Sequence, residues 1–327
     1  MARLAIRTSY LVLMAALALA GPAHGDPVPE VTVIGKMDPH TLNHVIQQFV
    51  QSHDKPSALI GQIGRWRDAV CPAVSGLQGT ADGFVASRIT NVAHAVGAPG
   101  AAPGKPCVTN VEVVFTPSPQ QLLDHIAEKY HPLLGFYRVS EHKQTVTFSH
   151  PIQAWYRTGT RTVHFDPPPM CVPRCEPPND GMGKAGFPTA TEPFNNGFEE
   201  DSDQSAGGPG SFGVSGGDVS PFTHGLRSEF LHVLIIVDSK AVAKFPLQGI
   251  ADYVAMLSLT RLASLDDCSD LPSIVNLFAT HCAAAPSTLT TADISYLKAL
   301  YGADLEQNLN LEQYDMHARM LKGISGQ

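Results

Sequence analysis

Two histidines in a predicted helix have a spacing that suits metal binding. His40 and His44 lie one turn apart in the segment that follows Asp38-Pro39, and helical zinc sites often use such an imidazole pair. Asp38 is the predicted N-cap and Pro39 the first helical residue. Because no third ligand is predicted nearby, we interpret both histidines as surface residues and keep a metal pair as the alternative.

Two other clusters contain residue types that bind metals. His125 and His131, beside Asp124 and Glu128, are six residues apart, which does not place them on one helix face. The acidic run at 199–203 lacks the ordered loop and the distant glutamate of an EF-hand. We therefore expect solvated side chains in both clusters, and no metal or cofactor.

The first 25 residues have the pattern of a secretory signal peptide. Arg3 and Arg7 precede an apolar run over 10–20, and Ala23-His24-Gly25 resembles a signal-peptidase site. We expect a secreted or periplasmic protein with no transmembrane segment after signal removal. The formal charge of −8 at pH 7 disfavours nucleic acid as a partner.

Export would place the six cysteines in a compartment where disulfides persist. Six cysteines allow 15 pairings. Sequence proximity and the domain organisation favour three pairs, which are Cys71 with Cys107, Cys171 with Cys175, and Cys268 with Cys282. A zinc site at Cys171 and Cys175 is the alternative, but no second Cys or His pair at zinc spacing lies near it.

Composition divides the remaining chain into three parts. Residues 26–165 predict strands and helices, including a helix over 82–96. Residues 166–224 are rich in Pro, Gly and acidic residues with almost no apolar periodicity, which is typical of a disordered insertion. Residues 225–327 form a C-terminal part, and its first strand is predicted over 230–237 from a nearly continuous apolar run.

A central helix is predicted over 247–262. Ile250, Val254 and Leu257 repeat at i, i+4 and i+7, and the other faces of this helix are also mostly apolar. A helix that is apolar on nearly every face is buried. Thr290 predicts the N-cap of a later helix, in a pattern similar to a capping box.

The order of strand, apolar helix and later helices resembles the active-site half of a zincin metalloprotease of the matrixin or metzincin type. The family motif is H-E-x-x-H-x-L-G-L, in which two histidines hold zinc and the glutamate is the general base. Residues 251–259 read A-D-Y-V-A-M-L-S-L at these positions. The chain also resembles exported proteobacterial proteins of this layout.

The resemblance implies an α+β, zincin-like fold. We expect a mixed, twisted sheet with a long helix on it, a buried central helix and a helical C-terminal part, interrupted by the insertion over 166–224.

The resemblance also implies a degenerate site at five positions. Ala251 and Ala255 stand at the zinc-ligand positions, and Asp252 stands at the position of the base. Ser258 and Arg261 stand at the glycine and third histidine of the extended motif. Because alanine has no atom that binds zinc, the resemblance implies a scaffold without catalytic residues.

Three classes of function fit these features. We favour a non-catalytic binding or scaffold protein of the cell envelope, with an unknown protein or peptide partner. The alternative is an active secreted hydrolase or metallopeptidase whose catalytic residues are not placed. A small-molecule binder that uses the cleft under a zincin edge strand is the third. An extended peptide could add to that edge, which would give binding without chemistry.

Overall fold

The computed structural model of the protein describes most of the chain outside the two predicted non-globular segments. The described residues are 37–57, 60–101, 107–135, 146–162, 226–280, 282, 285–303 and 308–325. The predicted signal peptide, the predicted insertion over 166–224 and the proposed Cys171–Cys175 pair lie outside them.

One mixed sheet runs through the described part. Its long central strand pairs in parallel with two strands on one side and antiparallel with a single strand on the other. A further strand extends the parallel side. The strands are β1 (Arg65–Trp66), β2 (Pro72–Ser75), β3 (Val111–Thr116), β4 (Ile152–Thr162) and β5 (Leu226–Asp238). β5 is the central strand, β2 extends the sheet beyond β3, and β4 forms the antiparallel edge.

Helices cover both faces of the sheet. They are α1 (Pro39–His53), α2 (Ala81–Val96), α3 (Pro119–Lys129), α4 (Leu247–Leu259), α5 (Thr291–Gly302) and α6 (Leu309–Ile324). The main core lies between one face and α1, α2, α4, α5 and α6. A smaller core lies under α3 and a 3-10 helix at His131–Leu134 on the other face. None of the described helices is long and apolar enough to cross a membrane.

The predicted fold class is confirmed at this level. The chain is an α+β protein with a mixed sheet, and α2 is the predicted long helix over 82–96. α4 is the predicted buried helix, because every residue from Gly249 to Leu259 is buried. The C-terminal part is helical, through α5 and α6.

Side chains cap the helices as the sequence predicts. The Asp38 carboxylate accepts hydrogen bonds from the main-chain N–H groups of His40 at 3.0 Å and Thr41 at 3.1 Å. Thr290 and Asp293 form a capping box at the start of α5. Each cap satisfies N–H groups that the first helical turn leaves without an intrahelical partner.

α4 ends earlier than predicted. Its last residue is Leu259, and the predicted continuation to Leu262 is wrong because Thr260 is already extended, with φ −145° and ψ 152°. Leu262 instead forms an antiparallel bridge with Asp54. The residues after α4 therefore run as an extended segment beside the end of α1.

Aromatic side chains from distant segments satisfy the carbonyl groups at the end of α4. A helix leaves its last four carbonyl groups without intrahelical partners. The donor-to-oxygen distances are 2.7 Å from Trp66 Nε1 to Ser258, 2.9 Å from Tyr301 Oη to Leu259, and 2.7 and 2.9 Å from Tyr156 Oη to Leu257 and Thr260. These bonds stabilise the end of α4 where it stands, and local periodicity does not predict them.

Two of the three predicted disulfides are confirmed. Cys71 pairs with Cys107, which links the start of β2 to the segment before β3. Cys268 pairs with Cys282 in the connection between α4 and α5. Both bonds restrict the unfolded chain and so favour the folded state.

A close contact in α4 gives the first prediction. A Cβ atom at Gly249 would lie 2.5 Å from the main-chain oxygen of Ser287, whereas a Cβ atom at Gly83 of α2 would meet nothing within 4 Å. We expect Gly249→Ala to lower the free energy of unfolding by about 1–3 kcal/mol through overpacking. The matched control Gly83→Ala should raise it by about 0.5 kcal/mol through helix propensity. Urea denaturation measures both, and a stabilising Gly249→Ala would contradict the contact.

Candidate functional site

A cleft of about 480 Å³ opens beside β4. One wall is β4 itself, from Gln153 to Tyr156 and at Thr158. The opposite wall is formed by Leu257 near the end of α4 and by the extended segment 261–263. Other residues that line the cleft are Lys55, Leu134, Gly135, His150 and Leu265.

The register of β4 decides which of its main-chain groups bond to β5. Asp238 donates its N–H to the carbonyl of Pro151 at 2.9 Å, so these two residues form a hydrogen-bonded pair. Hydrogen-bonded and non-hydrogen-bonded pairs alternate along an antiparallel ladder. Gln153, Trp155 and Arg157 are therefore the β4 residues whose main-chain groups bond to β5.

The residues between them direct their main-chain groups away from β5. These are Ile152, Ala154 and Tyr156. A Cβ atom at Gly135 would lie 2.6 Å from the main-chain oxygen of Tyr156, which agrees with this outward direction. Within the described residues no main-chain hydrogen bond or strand pairs with this outer edge. Among the described residues, β4 therefore presents main-chain groups without a hydrogen-bond partner at Ile152, at Ala154 and at the N–H of Tyr156, while Gly135 lies against the Tyr156 carbonyl.

Tyr156 and Arg261 both line the cleft and lie against each other. The Arg261 guanidinium lies 5.9 Å from the centre of the Tyr156 ring, within the range of a cation–π contact. Burial raises the pKa of the Tyr156 hydroxyl above its ordinary value, so the hydroxyl stays protonated and donates. Burial also lowers the pKa of Arg261, while Tyr156 opposes this shift.

Two cations of the cleft have no described anionic partner. No ion pair or side-chain hydrogen bond of Arg261 or Lys55 occurs in the described part of the chain. Arg261 is half-buried and Lys55 is exposed. The main-chain N–H of Lys55 donates to the carbonyl of Arg261 at 2.9 Å, which holds the two residues side by side.

Of the five degenerate-site positions, only Arg261 lines the cleft. Ala251 and Ala255 are completely buried in the main core. Ser258 is also completely buried, and its hydroxyl donates to the carbonyl of Val254 at 2.8 Å in the same helix. The structure does not bring these positions together at an open surface.

Asp252 is a structural acid within the core. Its side chain is completely buried and forms an ion pair with Arg88 of α2. The same carboxylate accepts hydrogen bonds from Gln248 Nε2 and from the main-chain N–H of Leu289, both at 3.0 Å. With three donors engaged and no exposure to solvent, the Asp252 carboxylate links α2, α4 and the segment before α5.

The four candidate histidines do not form a ligand cluster. His40 and His44 are exposed on α1, as predicted, while His125 and His131 are half-buried at and just after α3. None of them lines the cleft. Within the residues that the structure describes, no three His, Cys, Asp or Glu side chains form a group that could hold a metal ion.

A serine, a histidine and an aspartate meet where the cleft wall ends. Ser149 Oγ lies 2.9 Å from His150 Nδ1, and His150 Nε2 lies 3.1 Å from Asp266 Oδ1. The three residue types are those of a Ser-His-Asp hydrolase, but the two ring nitrogens are exchanged, because in that template the serine bonds Nε2 and the aspartate bonds Nδ1. The Ser149 N–H donates to Gln153 Oε1 at 3.1 Å. Because 63% of the Asp266 side chain is exposed, the aspartate is not buried as it is in that template.

Sequence reasoning missed this trio. Ser149 and His150 are neighbours in the chain, but Asp266 lies 116 residues after His150. No spacing rule connects such a pair, and only the packing of the segment after α4 against the start of β4 brings them together.

A buried acid lies behind the cleft, next to Lys55. The Asp54 carboxylate accepts hydrogen bonds from the hydroxyls of Thr260 at 2.5 Å and of Tyr296. Burial raises the pKa of Asp54 to about 7. Burial likewise raises the pKa of Asp293 to about 6, and it lowers the pKa of His53 to about 3.

These shifts predict how stability depends on pH. An unfolded aspartate has a pKa of about 3.9, so between pH 4 and about 7 the folded state binds more protons at Asp54 than the unfolded state does. Asp54 therefore makes the free energy of unfolding fall as pH rises through this window. Asp293 acts in the same direction up to about pH 6. His53 acts in the opposite direction, because its stabilising contribution is lost as pH falls below about 6.5.

The variant Asp54→Asn isolates the contribution of Asp54. Raising the pH from about 5 to about 8 should lower the free energy of unfolding of the wild type more than that of the variant. We expect the difference between the two proteins to shift in favour of the variant by at least about 1 kcal/mol. Urea denaturation of both proteins at the two pH values measures the difference. An unchanged difference between them would show that Asp54 is not protonated in the folded protein at low pH.

Within the described residues, the cleft combines a strand edge with outward main-chain groups, a neutral tyrosine and two cations without an anionic partner, which are features of a binding site. Comparison of the chain with protein-family models, curated proteins and solved structures found no match.

Proposed function

We propose that the chain is an exported, non-catalytic binding protein of the cell envelope, and that it holds an extended peptide along the outer edge of β4. The observation that carries this proposal is the coincidence of the cleft with the outward main-chain groups of Ala154 and the outward N–H of Tyr156. A peptide strand added there would pair with these groups, and the cleft would receive its side chains.

The two edges of the sheet differ in their capacity to accept a strand. β4 has 11 residues, whereas β2 at the opposite edge has 4 and begins with Pro72, which has no N–H to donate. Short edge strands and edge prolines protect a sheet from further pairing. β4 is long and contains no proline, and its β-bulge between Arg157 and Thr158 comes after residues 153–156 of the cleft wall, which favours this part of β4 as the edge that receives a partner.

The scaffold part of the proposal is a degenerate zincin-like domain. Its support is the order of elements, in which a strand, a long helix and a strand precede an edge strand, an inner strand and the buried helix α4. A cleft beside the edge strand also agrees with that resemblance. Ala251 and Ala255 in place of zinc ligands support binding without catalysis. The signal-peptide pattern and the two disulfides support export.

Selection from a random peptide library on the purified protein, followed by titration of the selected peptides, tests the binding site. We expect the selected peptides to be rich in β-forming residues. We expect the variant Ala154→Pro to bind them at least about tenfold more weakly than the wild type does. Proline removes an N–H that points to the partner and leaves the bonds from β4 to β5 in place. If the selected peptides bind this variant as tightly as the wild type, the binding site lies elsewhere.

A neighbouring residue supplies the control for stability. The N–H of Gln153 bonds to β5, so Gln153→Pro should lower the free energy of unfolding by about 3 kcal/mol. Ala154→Pro should cost less than about 1 kcal/mol, because its N–H is not part of the ladder. Urea denaturation distinguishes the two variants, and equal costs would contradict the register of β4.

An active hydrolase is the second candidate, and the contacts among Ser149, His150 and Asp266 favour it. If these residues catalyse, the purified protein should cleave peptide or ester substrates, and Ser149→Ala should abolish turnover. Our proposal instead predicts that Ser149→Ala changes neither turnover nor peptide affinity. Loss of a measurable turnover in Ser149→Ala would establish the hydrolase and overturn the non-catalytic proposal.

A further inference from the structure

We propose that the cleft selects a peptide with an acidic side chain, and that Arg261 and Lys55 bind its carboxylate. This inference rests on the proposed function and defines the chemistry of the partner at the same site. Both residues line the cleft. The bond from Lys55 N–H to the carbonyl of Arg261 joins their main chains at 2.9 Å, so the two side chains leave adjacent backbone positions beside the cleft.

Arg261 is the stronger anchor of the two. It is half-buried and lies over Tyr156, so its guanidinium has lost part of its hydration. A partly desolvated cation gains most from a charged hydrogen-bond acceptor. In the described part of the chain no carboxylate occupies this position, which leaves the guanidinium open to a ligand.

The nearby acids of the protein are engaged elsewhere. Asp266 lies 3.1 Å from His150 Nε2. Asp54 is buried and accepts hydrogen bonds from the Thr260 and Tyr296 hydroxyls. The chain as a whole carries a formal charge of −8. Two cations that have no anionic partner among the described residues give this cleft of an acidic protein a positive charge, which complements an acidic ligand.

The geometry favours a side-chain carboxylate over the free C-terminus of a peptide. Outward main-chain groups occur on β4 at Ile152, Ala154 and Tyr156, and the strand continues to Thr162 beyond a β-bulge between Arg157 and Thr158. A peptide paired with this edge therefore has strand to follow on both sides of Tyr156, the residue that Arg261 contacts. The chain would pass through the cleft and place one side chain at Arg261.

The test uses peptides selected from a random library with both ends capped. We expect one acidic residue at a fixed position in the selected sequences. Replacing that residue by its amide should weaken binding about 10-fold to 100-fold. Arg261→Gln should weaken binding of the acidic peptide by a similar factor and leave the affinity for the amide peptide unchanged.

Arg157→Gln is the matched control. Arg157 is an exposed cation of the same strand, but it is not part of the cleft lining. This variant should bind the acidic peptide like the wild type. If it weakens binding as much as Arg261→Gln does, the preference for acid reflects overall charge, and the assignment to Arg261 is wrong.

Charge reversal provides an independent readout. Arg261→Glu should bind a peptide with lysine at the selected position better than the acidic one. Selected peptides without an acidic preference that still lose affinity in Ala154→Pro would overturn this inference and leave the proposed function intact. Peptides insensitive to Ala154→Pro would overturn both. A requirement for a free C-terminus would also overturn the side-chain assignment.

Discussion

Asp252→Ala will lower the free energy of unfolding by about 3–5 kcal/mol. The substitution leaves the Arg88 guanidinium, whose side chain is 8% exposed, without its counter-charge between α2 and α4. It also removes the acceptor for the N–H of Leu289, and an unsatisfied buried donor carries its own cost. Urea denaturation followed by circular dichroism measures the change.

Two further variants make this prediction specific to the buried pair. Asp315→Ala removes an i,i+4 partner of Arg319 on α6, in a pair with far more exposed side chains, and should cost less than about 0.5 kcal/mol. Replacing both members of the buried pair, as in Arg88→Met with Asp252→Leu, should recover most of the lost stability. A double variant as unstable as Asp252→Ala would show that the pair is not the cause.

Glu312→Ala is the second substitution with a large expected effect, again about 3–5 kcal/mol. The Glu312 carboxylate is 1% exposed, forms an ion pair with Arg65 of β1, and accepts the main-chain N–H of Ile63 at 3.0 Å. The same arginine donates to the carbonyl of Ala303 at 3.1 Å. Glu312 therefore holds α6 against the start of the sheet and the end of α5.

Limited proteolysis with urea denaturation checks this second prediction. Loss of the carboxylate should release α6 first, so the earliest cleavage in Glu312→Ala should fall within residues 309–324. Glu128→Ala, which removes an exposed partner of Lys129 on α3, is the control and should match the wild type. An intact α6 in a destabilised Glu312→Ala would contradict its role as the anchor.

Local sequence signals predict much of this fold. The spacing of Ile250, Val254 and Leu257 identifies α4, because a helix apolar on every face has to be buried. Asp38 and Thr290 mark helix starts, because their side chains satisfy N–H groups within the same turn. Proximity in the chain was sufficient to pair four of the six cysteines.

The rest depends on contacts between distant segments. α4 stops at Leu259 because side chains from three other parts of the chain bond to its last carbonyl groups, among them Trp66 and Tyr301. The cleft forms because β4 lies at the edge of the sheet next to Arg261. No local sequence pattern predicts which strand lies at an edge. The zincin resemblance placed Arg261 at the position of the third histidine and did not predict that it lines the cleft.

Hydrogen exchange tests directly whether an extended partner lies along the outer side of β4. Amide exchange of β4 should be measured by nuclear magnetic resonance with and without a saturating selected peptide. We predict new protection at Ile152, Ala154 and Tyr156, whose N–H groups point outward, and little change at Gln153 and Trp155, whose N–H groups already bond to β5. Binding without added protection at Ala154 and Tyr156 would contradict strand addition at this edge.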